Sequence, residues 1–378
     1  MEKKRKIKVL QVFGLVFATM ITLSCNTGKE KFIPGEFDYT KNDVIRKVHI
    51  LKGKKVEVDS SLLNLREPET QIIINKDRLF LKSMCKKTWN IIVKSFTLEY
   101  SDGSLKLVFE NDYTINPEGY FNYIYAYLSK SWDDSTQIYI VDTELGDIFT
   151  VLNNNDLIKL SDKTISLNAK VPNEMSLWSK SVYSTGIANE WYFIGRQSQK
   201  GMSIYKSVNY PDSIVVNHEY SLNVNSIEQF WIAYYGCFAF NPKKQIGVYG
   251  YNYFPNVKFI NMNNLKTKSI LLKGQGYNPE TDLVPDGLDL NVIYYRDISV
   301  TNEYVYMLFV GRNPKIFIND NEKGNKYVYV IKFDWYGNPL KTMKLDQFGY
   351  SFCVSDDDSF ILLYSFDKES PVYWYNLL

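Results

Sequence analysis

The chain has 378 residues, of which 45% are apolar and 16% aromatic, enough for one large hydrophobic core or two smaller ones. Its formal net charge is +2, but residues 1–24 hold five basic side chains against Glu2, so the remainder sits near −2. With no Lys/Arg cluster beyond the first eight residues, there is no basic stripe of the kind a nucleic-acid partner requires.

In chain order, the first element is an export signal. "MEKKRKIK" is a positively charged head, and "VLQVFGLVFATMITLS" (9–24) is a 16-residue uncharged run, shorter than the roughly 20 residues of a membrane span. Cys25 follows directly. The run Leu23-Ser24-Cys25 resembles the lipobox of bacterial lipoproteins, with Leu23 one place later than the usual leucine and Thr22 standing in that place. The resemblance implies that the signal ends at residue 24 and that the Cys25 thiol carries a diacylglycerol anchor. Residues 26–43 are polar with Gly and Pro and read, with Cys25, as a tether to a domain spanning 44–378.

From Val44 onward there is almost no 3.6-residue periodicity. Short Val/Ile/Tyr/Phe segments alternate with Asn/Asp/Gly/Lys turns, which indicates an all-β sandwich, barrel or propeller. "YFNYIYAYL" (120–128) is apolar on both alternating faces, as a strand covered on both sides must be. One hairpin recurs at 96–109, 138–152 and 328–345, more loosely at 203–216 and 257–272. Further hairpins lie upstream at 71–83, 182–196, 231–251 and 297–311. Two hairpins make a four-stranded blade, so five blades start after residue 70. The last three strands, "FCVSD", "FILLYSF" and "VYWYNLL", lack a fourth, which "RKVHILKGKKVEVD" (46–59) would supply. Joining the termini in this way closes a six-bladed β-propeller and removes free sheet edges; uneven turn spacing leaves seven blades open.

The export signal ending in Cys, the blade hairpin "YVYVIKFDWYGNPLKTMKLD", the closing "PVYWYNLL" and the Gly-rich "LKGQGYNPE" (272–280) together resemble the TolB-like six-bladed β-propeller lipoproteins of Bacteroidetes. That resemblance implies a lipid-anchored propeller in the cell envelope, at the outer membrane. It brings no catalytic residue with it.

The chemistry-bearing residues are sparse. His49 and His218 both lie in strands and read as structural. No Cys pair has metal-ligand spacing, and Cys85, Cys237 and Cys353 read as small buried apolar residues. There is no nucleophile elbow and no phosphate loop, so no cofactor, metal or catalytic residue is assigned. "NDNEKGNKY" (319–327) fails as a calcium loop, because Lys323 and Val330 occupy ligand positions. "SDDDS" (355–359) reads as a solvated hairpin tip, a weak cation site being the other reading. The unusual feature is the load of 30 Tyr, 22 Phe and 7 Trp. Most belong between blades, but rings in loops can stack on a ligand: Trp132, Tyr253, Tyr277 and Trp335 foremost, with Tyr210 and Phe254. The expected function is an anchored binding or scaffold propeller for a protein or glycan. The alternative is a hydrolase or lyase using carboxylates or a cation at the channel mouth.

Overall fold

The computed structural model describes residues 32, 35–38, 47–58, 70–84, 91–101, 103–115, 126–132, 136–142, 148–160, 175–197, 201–210, 212–223, 234–271, 290–313, 326–365 and 371–378. The regular elements among them are strands. Four short N-terminal ones come first: β1 (Gly35–Asp38), β2 (Val48–Leu51), β3 (Lys54–Lys55) and β4 (Glu57–Val58).

Six antiparallel blades follow. Blade 1 is β5 (Gln71–Asn75), β6 (Arg78–Met84), β7 (Ile91–Ser101) and β8 (Ser104–Ile115). Blade 2 is β9 (Ala126–Lys130), β10 (Thr136–Asp142), β11 (Ile148–Leu152) and β12 (Leu157–Leu160). Blade 3 is β13 (Met175–Ser184), β14 (Glu190–Gln197), β15 (Gly201–Tyr210) and β16 (Ser213–Ser221). Blade 4 is β17 (Gly236–Asn241), β18 (Ile246–Tyr251), β19 (Asn256–Asn261) and β20 (Thr267–Leu271). Blade 5 is β21 (Ile293–Val300), β22 (Tyr304–Arg312), β23 (Val328–Asp334) and β24 (Pro339–Leu345). Blade 6 is β25 (Gly349–Val354), β26 (Phe360–Ser365) and β27 (Val372–Asn376), completed by β3. The first strands touch in ring order, β5 to β9, β13, β17, β21, β25 and back to β5, so the fold is an all-β, six-bladed propeller.

The blades stack through apolar faces, because strands covered on both sides must be apolar on both. Every residue of β17 and β18 is buried. One core cluster joins Ile72, Leu79 and Phe96 of blade 1 to Cys353, Phe360 and Leu362 of blade 6, and so seals the ring where the chain ends meet. Gly236 and Gly349 open the innermost strands of blades 4 and 6. A Cβ on either would sit 2.2 Å from the carbonyl oxygen of the paired strand, Gly250 and Tyr364 respectively, so only glycine permits this approach.

The closure is wider than the sequence indicates. Of the segment 46–59, only Lys54–Lys55 completes blade 6, antiparallel to β27. The residues on either side pair in parallel with the outer strands of the two neighbouring blades, β2 with β24 of blade 5 and β4 with β8 of blade 1. β1, inside the segment read as tether, adds in parallel to β20 of blade 4. The N-terminal ribbon therefore runs along the rims of four consecutive blades. It is pinned where Gly53 donates its N–H to Asp346 Oδ1 at 3.0 Å, and where buried Val56 donates to the Val372 carbonyl at 3.0 Å.

The hairpin at 138–152 is also out of phase with its supposed equivalents. It joins the second and third strands of blade 2, whereas 96–109, 203–216, 257–272 and 328–345 join third and fourth strands. Turn residues alone do not number a hairpin within a blade, and the four-residue β12 is too short to show alternation.

At the axis, each blade presents a strand whose inner edge has no sheet partner, and side chains of neighbouring blades bond main-chain groups on the inner strands of blades 1, 2, 3 and 6. Gln71 exchanges two bonds with Leu128, donating Nε2 to its carbonyl at 2.9 Å and accepting its N–H at 2.7 Å. Ser129 Oγ accepts from Val182 N at 2.9 Å, and Ser299 Oγ from Val354 N at 3.0 Å. Ser351 Oγ accepts from Ile72 N at 3.1 Å and donates to Asp297 Oδ2 at 2.9 Å, a relay through blades 1, 6 and 5. Ser351→Ala leaves the Ile72 N–H buried and unpaired and removes a donor from Asp297. Urea unfolding should show a loss of about 1–3 kcal/mol; an unchanged midpoint and slope would contradict the relay.

Candidate functional site

Side chains fill the channel. Its cavity is about 30 Å³, bounded by Gln71, Leu128, Tyr183, Cys237 and Cys353 among others, with Lys130 and Asp297 as the charged members. That is room for about one water molecule. The Asp297 carboxylate is occupied: Oδ2 accepts from Ser351 Oγ and from Phe352 N at 3.2 Å, and Oδ1 from Ile298 N at 3.0 Å. Burial, then the nearby Asp297 charge, pushes the Cys353 thiol well above its usual value, so it stays protonated and unreactive. Cys237 is also a buried thiol, donating to the Gly250 carbonyl at 3.7 Å, and Cys85 lies outside the described residues. Among the described residues no group of three or more His, Cys, Asp or Glu is placed to hold a metal.

The two ends of the channel differ. At one end lie the tight turns that follow each innermost strand, 76–77, 131–135, 185–189, 242–245, 301–303 and 355–359. This mouth is tied shut. Lys130, at the end of β9, reaches across the ring to the Val300 carbonyl at 3.2 Å and pairs with Asp356 of blade 6. Its ammonium lies 5.9 Å from the Trp132 ring centroid, and Trp132 meets Trp335 edge-on at 6.4 Å. Trp335, expected as an exposed ring at a hairpin tip, is 1% exposed, its Nε1 donating to the Thr301 carbonyl at 3.1 Å. Its turn folds back onto the β21–β22 turn, which supplies an acceptor for the indole and so removes the ring from solvent.

The "SDDDS" turn is a latch and not a solvated tip. Asp356 also accepts the Lys76 N–H of blade 1 at 2.7 Å. Asp358, at φ +59°, accepts from Tyr306 Oη at 2.7 Å and Thr301 Oγ1 at 3.1 Å in blade 5. Asp357 is the exposed one and takes the Ser359 hydroxyl at 2.7 Å. Hydrogen bonds from Ser355 and Ser359 hold the Asp357 carboxyl below its ordinary value, whereas burial pushes Asp358 above it despite the Tyr306 hydroxyl and the Lys332 charge.

At the other end the strands lead into the long connections 116–125, 161–174, 222–235, 272–292 and 313–327, most of whose residues lie outside those described. Tyr253, half-buried, sits at this end in the short β18–β19 turn beside buried Phe254. Tyr277 lies outside the described residues, as does Cys25. Tyr210 is 55% exposed at the outer tight turn of blade 3. Neither histidine reaches the channel: His49 is exposed on β2, and His218 on β16 contacts Ser203 and Ser221 hydroxyls at 3.2 and 3.1 Å. The sequence reading passed over Lys130, Asp297 and the axial serines. The usable signal was a lone hydroxyl inside an apolar first strand, as in "AYLSK" and "GYSFCV".

The sequence model of the TolB-like 6-blade propeller-like family matches residues 128–357, which run from blade 2 into the latch of blade 6. The chain belongs to this family. No curated protein matches it in sequence. Similar solved structures include a member of the duf4221 family from Bacteroides vulgatus, at 10% identity and TM-score 0.49, covering 82% of this chain and 94% of that one. A calcium-binding regucalcin from Agrobacterium tumefaciens aligns at 10% identity and TM-score 0.42 over 88% and 96% of the two chains. A luciferin-regenerating enzyme aligns at 9% identity and TM-score 0.45 over 84% and 94%. No ligand or activity is carried over from them.

The raised Asp358 carboxyl has a pH signature. The fold binds its proton more tightly than the unfolded chain does, so its contribution to stability is fully present below about pH 4 and declines as pH rises through the folded value. Asp358→Asn keeps an acceptor for Tyr306 and tolerates the left-handed backbone. Its melting temperature should therefore vary less than wild type across that window; parallel curves would refute the assignment.

Proposed function

We propose that this family member is an envelope lipoprotein, held at the outer membrane through a lipidated Cys25, whose propeller binds a protein or glycan partner at the long-connection face. The filled channel carries this reading. A cavity of about 30 Å³ admits no substrate, and the tight-turn mouth is committed to internal bonds, so ligand contact falls to the opposite face. Long connections on a rigid frame are where recognition residues ordinarily sit. The hydrolase or lyase reading finds no support in the channel, whose lining includes one carboxylate, Asp297, already hydrogen-bonded.

The anchor is supported by the charged head, the uncharged 9–24 run and the cysteine that ends it. Each buried CH₂ of an attached chain contributes roughly 0.8 kcal/mol, so two or three chains hold a protein on a bilayer. Cys25→Ser should move the protein from the membrane to the soluble fraction; retention would overturn the anchor. For the binding face, immobilised protein should retain a protein or glycan from solubilised envelopes, and replacing 272–292 with a short Gly/Ser linker should abolish retention in a variant that melts normally. Retention unaffected by that replacement would overturn the choice of face.

A further inference from the structure

Blade 5 is built unlike the others at its long-connection end. Tyr295, Phe309, Tyr329 and Lys344 stand directly opposite one another on β21, β22, β23 and β24. The rings form a continuous file: Phe309 lies 5.3 Å from Tyr295 and 6.4 Å from Tyr329, which lies 5.5 Å from Tyr327. The file ends in two cations on one phenol, the Arg312 guanidinium 3.7 Å and the Lys344 ammonium 3.8 Å from the Tyr327 centroid. Tyr295 is buried at the axis; the residues beyond it are half-exposed. A ledge of rings thus runs outward from the channel to the rim.

Cations stand at both ends of this blade, but the described carboxylates are fewer at the long-connection end. The long-connection end carries Arg312, Lys326 and Lys344, with Arg296 over the Tyr350 ring at 5.2 Å. The described carboxylate there is Asp346, which accepts from Gly53 N and from Tyr375 Oη at 3.1 Å. The tight-turn end balances Lys332 and Lys341 against Glu303 and Asp334. In a mature chain near −2, this end of one blade is a local concentration of positive charge on aromatic faces.

We propose that this ledge binds an acidic polysaccharide, a sugar polymer bearing carboxylates or sulfates. Phenol and phenyl faces accept the C–H face of a pyranose, the planar Arg312 fork matches a carboxylate or sulfate, and Lys344 adds a second point charge. Arg312 is also held by its bond to the Tyr327 carbonyl, and the two charges beside one ring favour an anionic ligand over a neutral sugar. The partner is a polymer because the file of rings is longer than one sugar. The proposal rests on the binding reading above and names the ligand class for part of that face.

The test is affinity electrophoresis of the mature chain through gels containing polygalacturonate, chondroitin sulfate or neutral dextran. Retardation is expected in at least one acidic gel, weakening with added salt, and none in dextran. Arg312→Gln/Lys344→Gln should weaken binding roughly tenfold or more. Lys266→Gln, an exposed charge at the opposite end of blade 4, should leave it unchanged. Tyr327→Ala should weaken it at normal salt and high salt alike, which loss of charge alone does not do. Thermal melts confirm that each variant is folded, and Lys344→Gln alone serves if the double variant is not. No retardation in either acidic gel, or equal retardation of wild type and Lys344→Gln, overturns the ledge. If envelope capture through 272–292 succeeds while both acidic gels fail, the binding face stands and the ledge does not; failure of both removes both.

Discussion

A propeller brings the inner edge of every blade to one axis, where a strand has donors and acceptors but no further strand to receive them. An exposed edge of this kind invites pairing with another chain, and a buried one costs free energy. Here side chains of the neighbouring blade close the edges. Gln71, Ser129, Ser299, Ser351 and Asp297 each bond a main-chain group one blade away, so the same bonds that satisfy the axis also fix the blades to one another. The Ser351 relay is the point of greatest leverage, because it couples the first blade to the last two where the chain ends have to meet. It borders the small axial cavity of about 30 Å³.

The rim solves the converse problem. Outer strands also have open edges, and the N-terminal ribbon covers them on blades 4, 5, 6 and 1 in turn, through β1 to β4. Three of these four additions are parallel, so they lengthen sheets without interrupting the antiparallel blades. Only the two-residue β3 completes a blade that would otherwise lack a strand. Closure therefore comes from the ribbon outside and the side-chain relay inside, acting on the same joint between blades 6 and 1.

How much of this the sequence shows follows from the range of each interaction. Strand alternation and turn residues are local, so the all-β class, the repeated hairpins and the sixth blade borrowed from the N-terminus can be read directly. The phase of the 138–152 hairpin cannot, because which strand follows which within a blade depends on pairing across 131–135 and on the four-residue β12. The axial bonds join residues as far apart as Ile72 and Ser351, and nothing in either local segment marks the partner. Trp335 was misread for the same reason. A hairpin tip is exposed by default, and it took the Thr301 carbonyl, from another turn, to bury it. "SDDDS" became a latch because three separate blades each supply a partner: Lys76, Lys130 and the Tyr306–Thr301 pair.

The two faces are thus unequal for one reason. Tight turns are short because they follow antiparallel pairs, and short turns near the axis can reach one another; Lys130 and Asp356 use that proximity to seal the mouth. At the other end most connections from the rim of one blade to the axis of the next are longer, although β24 and β25 are joined by 346–348 alone. Blade 5 carries cations at both ends: Lys332 lies over the Tyr304 ring at 3.5 Å near the latch, whereas Arg312 and Lys344 share the Tyr327 ring at the other end. Burial disfavours the charged form of Arg312, and the cation is held there by the Tyr327 ring and carbonyl.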